Sequence, residues 1–126
     1  MDIGLLRNNT TYYDGFEGED EVVLSLKTDP EVSIHIWVGY LDDILSNPVL
    51  NGSKWTGLTR DYHQLEGAFS EEGESAEASP EEYLNDLQQY TGRKYDEPET
   101  EEVFQLIITF LQYAIQVKSL VRIQLV

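Results

Sequence analysis

The chain has 126 residues, 40% of them hydrophobic, and a formal net charge of −16. That length and apolar share predict one domain over residues 1–126 with one core, and argue against wholesale disorder. The charge disfavours nucleic acid and anionic membranes as partners, and the absence of cysteine excludes disulfides, thiolate chemistry and cysteine zinc sites.

The opening MDIGLLRNNTT lacks a basic stretch followed by a long apolar run. A secretory signal is therefore not expected, and the expected location is cytoplasmic. Residues 1–6 read as a strand. Residues 14–21 (DGFEGEDE) come nearest to a calcium loop. Their spacing is wrong for one and a strand follows, so no dedicated metal site is predicted. Residues 21–27 (EVVLSLK) and 31–38 (EVSIHIWV) alternate with period two, and TDPE between them has turn chemistry. They predict a hairpin, with Val22, Leu24 and Leu26 on one face and Val32, Ile34, Ile36 and Val38 on one face.

Tyr40 to Leu45 predicts a short helix stopped by Asn47-Pro48. Residues 51–69 hold Asn-Gly, Gly57 and Gly67, and read as loops with a short strand. Residues 70–78 read as an acidic flexible loop. Ser79-Pro80-Glu81-Glu82 is a helix start, with Ser79 as cap and Pro80 in the first turn. This helix covers about 80–91, with Gly92 able to end it in a left-handed cap. A second helix covers about 99–118, with acids in its first turn. Gln105, Thr109, Gln112 and Gln116 draw one polar stripe along it, which marks an amphipathic helix and not a membrane span. Leu120 to Val126 returns to period two and predicts a C-terminal strand. The fold class is α+β, a small mainly antiparallel sheet with two helices packed on it.

Catalytic patterns are missing. His35 and His63 are the two histidines, and no serine sits in a G-x-S-x-G elbow. H-E-x-x-H and glycine-rich phosphate cradles are absent too. The expectation is no catalytic residue, no metal, no cofactor and no enzyme activity.

Charge is the positive signal. Residues 1–65 carry net −7, residues 66–102 net −11, and residues 103–126 net +2. From Phe69 to Tyr83, six of fifteen residues are glutamates and none is basic. Aromatic anchors inside a charged rim describe a protein-binding face. The candidate partner-binding residues are Glu71, Glu72, Glu74 and Glu77 in the loop, Asp96 and Glu97 beyond it, and Trp55 and Tyr95 as aromatics. Asp42 and Asp43 are the next acids in line. Tyr83 and Leu87 are assigned to packing. The expected partner is a basic protein, drawn to the carboxylates and covered by them.

The two alternating strands, the loop SEEGESAEAS and the closing helix-plus-strand TEEVFQLIITFLQYAIQVKSLVRIQLV together resemble a bacterial immunity protein of contact-dependent inhibition and other polymorphic-toxin systems. The resemblance spans the chain at the level of architecture. It implies a small cytoplasmic protein that binds and neutralises a cognate toxin domain, for which a cationic, nuclease-like domain suits the charge. The other reading is an acidic interaction module of another kind, a nucleic-acid mimic or an adaptor.

Overall fold

The two alternating segments pair at the centre of the molecule. The computed structural model describes residues 3–45, 56–68 and 75–126, with backbone alone over 64–68. Strand β2 (Glu21–Leu26) and strand β3 (Ser33–Trp37) run antiparallel, with Glu21 opposite Trp37 and Ser25 opposite Ser33. Strand β5 (Val121–Leu125) pairs antiparallel with the other edge of β2. The predicted hairpin and C-terminal strand are therefore both present.

Two further strands complete the sheet. Strand β1 (Asn9–Tyr12) lies parallel to β3, and strand β4 (Ser75–Ala78) lies antiparallel to β5. The order is β1-β3-β2-β5-β4. Strand β4 corrects part of the loop read at 70–78: Ser75 to Ala78 are paired edge strand, and 70–74 lie outside the described residues. Its pairing partner is some 45 residues away, so no local pattern marks it. The strand read at residues 1–6 is also corrected. Ile3–Leu6 is a short 3-10 turn. It tucks Leu6 into the core, and the strand begins three residues later.

Among the described residues, four α-helices pack on one face of this sheet. Helix α1 (Val38–Leu45) follows β3 directly, so Val38 opens the helix and does not extend the strand. Helix α2 (Gly57–Ala68) corrects the loops and short strand read at 51–69 over the residues it spans, and 51–55 and 69 lie outside the described residues. Helices α3 (Pro80–Gln88) and α4 (Thr100–Gln116) match the two predicted helices, each slightly shorter. Gly92 does adopt a left-handed φ of 85°, but one turn beyond the end of α3.

The core forms where the apolar faces meet. Val22, Leu24, Leu26, Ile34, Ile36, Val121 and Ile123 point from the sheet, and Val103, Phe104, Ile107, Phe110, Leu111 and Ala114 point from α4. Burying each of these side chains other than Ala114 contributes about 1.5–3 kcal/mol. Strand periodicity puts Ser25, Ser33, His35, Arg122 and Glu77 on the opposite face, which is helix-free among the described residues. Val117 lies just past α4 and is 41% exposed. No described helix is long and apolar enough to cross a membrane.

One helix start is capped locally and another from a distance. Ser79 Oγ accepts the Glu82 N–H at 3.2 Å, while the Glu82 carboxylate turns away to Arg60. Helix α2 is capped from α3: the buried Asp86 carboxylate accepts from Thr59 N–H at 2.8 Å, Thr59 Oγ1 at 2.7 Å and Thr56 Oγ1 at 3.2 Å. These bonds satisfy donors that a helix N-terminus leaves open.

Candidate functional site: an aromatic patch rimmed by carboxylates

One end of the sheet gathers aromatic rings. Strand β1 ends there at Tyr12, β3 ends at Trp37, and α1 brings Tyr40 just beyond it. Tyr40 meets Tyr12 edge-on at 6.3 Å and Trp37 edge-on at 5.3 Å. Phe16, from the loop before β2, lies flat on Trp37 with ring centroids 4.2 Å apart and planes 5° apart. Tyr40 is almost wholly buried; Tyr12, Phe16 and Trp37 are half-buried. Trp37 Nε1 is enclosed without a hydrogen-bond partner among the described residues.

Carboxylates surround these rings. Asp14, Glu17, Glu19 and Asp20 lie in the loop that carries Phe16. Trp37, Gly39, Asp42, Asp43, Asp96 and Glu97 line a cleft of about 230 Å³. Glu99, Glu101 and Glu102 continue the rim into the first turn of α4. No ion pair joins any of these eleven acids to another described residue.

The cations that form ion pairs sit elsewhere, although Arg93 and Lys94 lie just before the rim acids Asp96 and Glu97, with the Arg93 guanidinium 4.5 Å over the Tyr90 ring. Arg7 pairs with Asp29 at 3.3 Å and Glu31 at 3.7 Å, at the hairpin-turn end of the sheet. Lys27 and Arg122 share Glu77, at 3.5 Å and 3.4 Å. Arg60 joins Asp61 and Glu82 on the outer helices. The ion pairs are therefore sorted along the sheet: those of Arg7, Lys27 and Arg122 gather toward the hairpin-turn end, and the eleven acids at the other end form none with a described residue.

Local titration follows this field. Burial first, then the charges of Glu99, Glu97 and Glu102, raise the Tyr40 hydroxyl above its usual range. Burial and Glu102 do the same at Tyr12. Asp43 goes the other way. Burial would raise its carboxyl, but hydrogen bonds from Thr100 Oγ1 at 2.6 Å and from the Asp96 and Glu97 N–H groups at 2.9 Å hold it below the ordinary value. Asp43 thus pins the acidic segment 96–97 against α1. Among the described residues no group of three or more acids or histidines is placed to hold a metal ion.

The sequence-derived candidates divide. Asp96 and Glu97 lie on this rim together with Asp42 and Asp43, a link of more than 50 residues that the sequence does not advertise. Tyr95 is near but turned inward: its hydroxyl donates to the Tyr90 carbonyl at 3.1 Å and its ring tilts against Phe104. Glu77 is in β4 and engaged with two cations. Trp55, Glu71, Glu72 and Glu74 lie outside the described residues. Tyr12, Phe16, Trp37 and Tyr40 escaped the sequence reading. The one available signal was the density of rings at 12–16 and 37–40, each beside acids.

A second polar row crosses the helix-free face. Glu21 Oε2 stands 2.6 Å from His35 Nδ1, and Ser33 Oγ stands 3.3 Å from His35 Nε2. The order resembles a nucleophile relay. Ser33, however, is 3% exposed and its hydroxyl also meets Asn8 Oδ1 at 3.2 Å. The row is a cross-strand tie between β2 and β3. His63, the other histidine, meets the Leu45 carbonyl, while Asp61 accepts from Tyr83 and Arg60.

Fold and site together define a two-layer α+β protein with an acid-rimmed aromatic face. No family model matches the chain, and no curated protein or solved structure matches it.

Proposed function

We propose that this chain is a protein-binding inhibitor whose acid-rimmed face covers the basic surface of a protein partner. In the setting its architecture resembles, the partner is the cationic, nuclease-like domain of a toxin, and the chain is the immunity protein that neutralises it. No bond is made or broken in this reading. Unmatched carboxylates speed encounter by about 10- to 10³-fold and set orientation, and half-buried rings supply the contact that lasts.

The observation that carries the reading is the sorting of charge. Eleven carboxylates share one end of the sheet without an ion pair to a described residue, around four mutually packed rings. Like charges held together weaken the compact state, so their retention points to an external counter-charge. A solubilising role alone does not call for rings at the centre of the patch.

The test is recovery of the partner. The tagged chain is expressed in its own cells, and bound proteins are identified by mass spectrometry at low and high ionic strength. One basic, growth-inhibiting partner, held at low salt and released at high salt, is the expected result. Recovery of a neutral or acidic partner, insensitive to salt, would sink the reading.

A further inference from the structure

A groove of about 340 Å³ runs between the N-terminal 3-10 turn, β1 and the first half of α4. Leu5, Tyr12 and Leu106 give it apolar walls, Asn9, Thr11, Gln105 and Thr109 add neutral polar groups, and Glu102 is the one charged residue among the described residues that line it. Glu102, Leu106 and Thr109 follow one another along a single helix face. Leu5 is 60% exposed, a large aliphatic side chain left in water on the groove wall. The groove is continuous with the aromatic patch, because Tyr12 packs edge-on against Tyr40.

These walls select among occupants. An acidic side chain meets Glu102 and the rest of the rim. A purely apolar one shields the Glu102 carboxylate from water and gives it nothing in return, which costs free energy. A long aliphatic stem with a cationic head satisfies both ends: methylenes lie on Leu5 and Leu106, and the head reaches Glu102. The Tyr12 ring adds an aromatic wall that attracts a cation. The charge of Glu102 is already felt there, since it helps raise the Tyr12 hydroxyl.

We propose that the Leu5–Tyr12–Leu106 groove, closed by Glu102, is the subsite for one arginine or lysine side chain of the basic partner. The inference rests on the reading of the acidic face and adds to it a fixed address for one residue. It predicts selectivity for a basic side chain with its stem over a bare cation.

The full chain is titrated with N-acetyl-arginine methylamide and, separately, with guanidinium chloride, following backbone amide resonances. The arginine derivative is expected to shift residues 5, 12, 106 and 109 saturably, and guanidinium to bind at least about tenfold more weakly for want of the stem. Leu5→Asn is expected to weaken the arginine derivative about fivefold, and Glu102→Gln about threefold, both surface changes that leave the fold intact. Equal titration by the two probes, or unchanged affinity in both variants, overturns the subsite. A hexa-arginine peptide separates the two levels. If it binds the wild-type chain in a salt-sensitive way and binds both variants equally well, the groove is wrong and the face stands. If it does not bind the wild-type chain at low salt, both fall.

Discussion

The Trp37 indole lies directly over Gly39: a Cβ at residue 39 would stand 2.4 Å from the ring's Cη2 and 2.5 Å from its Cζ2. Side chains never approach so closely, so the glycine is what allows the indole to fold back over the start of α1 and receive Phe16. Gly39→Ala should favour the helix itself by roughly 0.5–1 kcal/mol and evict the ring. In a Trp55→Phe background, Trp37 fluorescence should shift to the red, and hexa-arginine affinity should fall several-fold. An unshifted spectrum would mean the ring is not held by this contact.

Gly57 is a second close approach. It has a φ of 54°, and a Cβ there would stand 2.7 Å from Asp86 Cβ and 2.9 Å from the Glu82 carbonyl oxygen. The backbone and the β-carbon it would meet cannot swing aside. Gly92 also has a positive φ, 85°, but open space around it. Gly92→Ala should cost about 1–2 kcal/mol from backbone strain alone. Gly57→Ala should cost about 1–3 kcal/mol more from overpacking. Urea midpoints will rank the two, and the reverse order would remove the packing argument.

The same pair of helices shows what sequence could and could not tell. Strands β2, β3 and β5 announce themselves by alternation, and α3 and α4 by spacing and by Ser79-Pro80. Helix α2 does not. Its start carries a glycine, and its cap is Asp86, which is 27 residues further along. Strand β4 is four residues of Ser, Ala and Glu whose only reason to extend is the edge of β5. The site was half legible for the same reason. Asp96 and Glu97 stood out as acids, but their meeting with Asp43 and with the Trp37 cleft is tertiary. Local composition drew attention to the 70–78 segment instead, where Glu77 proves to be tied to Lys27 and Arg122.

Asp43 makes a pH-dependent contribution whose sign is fixed by its hydrogen bonds. Its carboxyl is held below the ordinary value in the folded chain. The stabilisation is therefore complete above the unfolded carboxylate range, about pH 4, and is lost as pH falls through the lower folded value. Asp43→Ala removes the acceptor for two N–H groups and Thr100 Oγ1, at a cost of about 1–2 kcal/mol near neutrality. Chemical denaturation from pH 7 to pH 3 should show the gap between wild type and variant narrowing as the pH drops. A constant gap would show that the carboxylate charge is immaterial.

Asp86 should behave differently from Asp43, because it is 3% exposed and its bonds lie inside the α2–α3 seam. Asp86→Ala leaves the Thr59 N–H and hydroxyl without that acceptor and opens a gap, costing about 2–4 kcal/mol. Asp86→Asn keeps one oxygen and should cost less than half of that. Binding of hexa-arginine should be unchanged in any folded Asp86 variant, since the carboxylate is buried and engaged by Thr56, Thr59 and Gln89. A loss of binding in a well-folded Asp86→Asn chain would place the docking surface on the outer helices.

Two neutralised sets then decide which acids steer. One set is Asp42→Asn, Asp96→Asn, Glu97→Gln and Glu102→Gln around the rings. The other is Glu71→Gln, Glu72→Gln, Glu74→Gln and Glu77→Gln. Each removes four charges, so a purely global field weakens hexa-arginine equally in both. Local steering does not. The ring set should lower affinity about tenfold or more and flatten its salt dependence. Relieved repulsion should offset the weaker bond that Asp42→Asn leaves for the buried Tyr62 hydroxyl, so that folding stability changes by less than about 1 kcal/mol. The second set should change affinity less. It should also lose a little stability, because Lys27 and Arg122 give up the carboxylate they share. If the second set loses more binding than the first, the acids at 71–77 are the docking surface and the ring patch is ordinary packing.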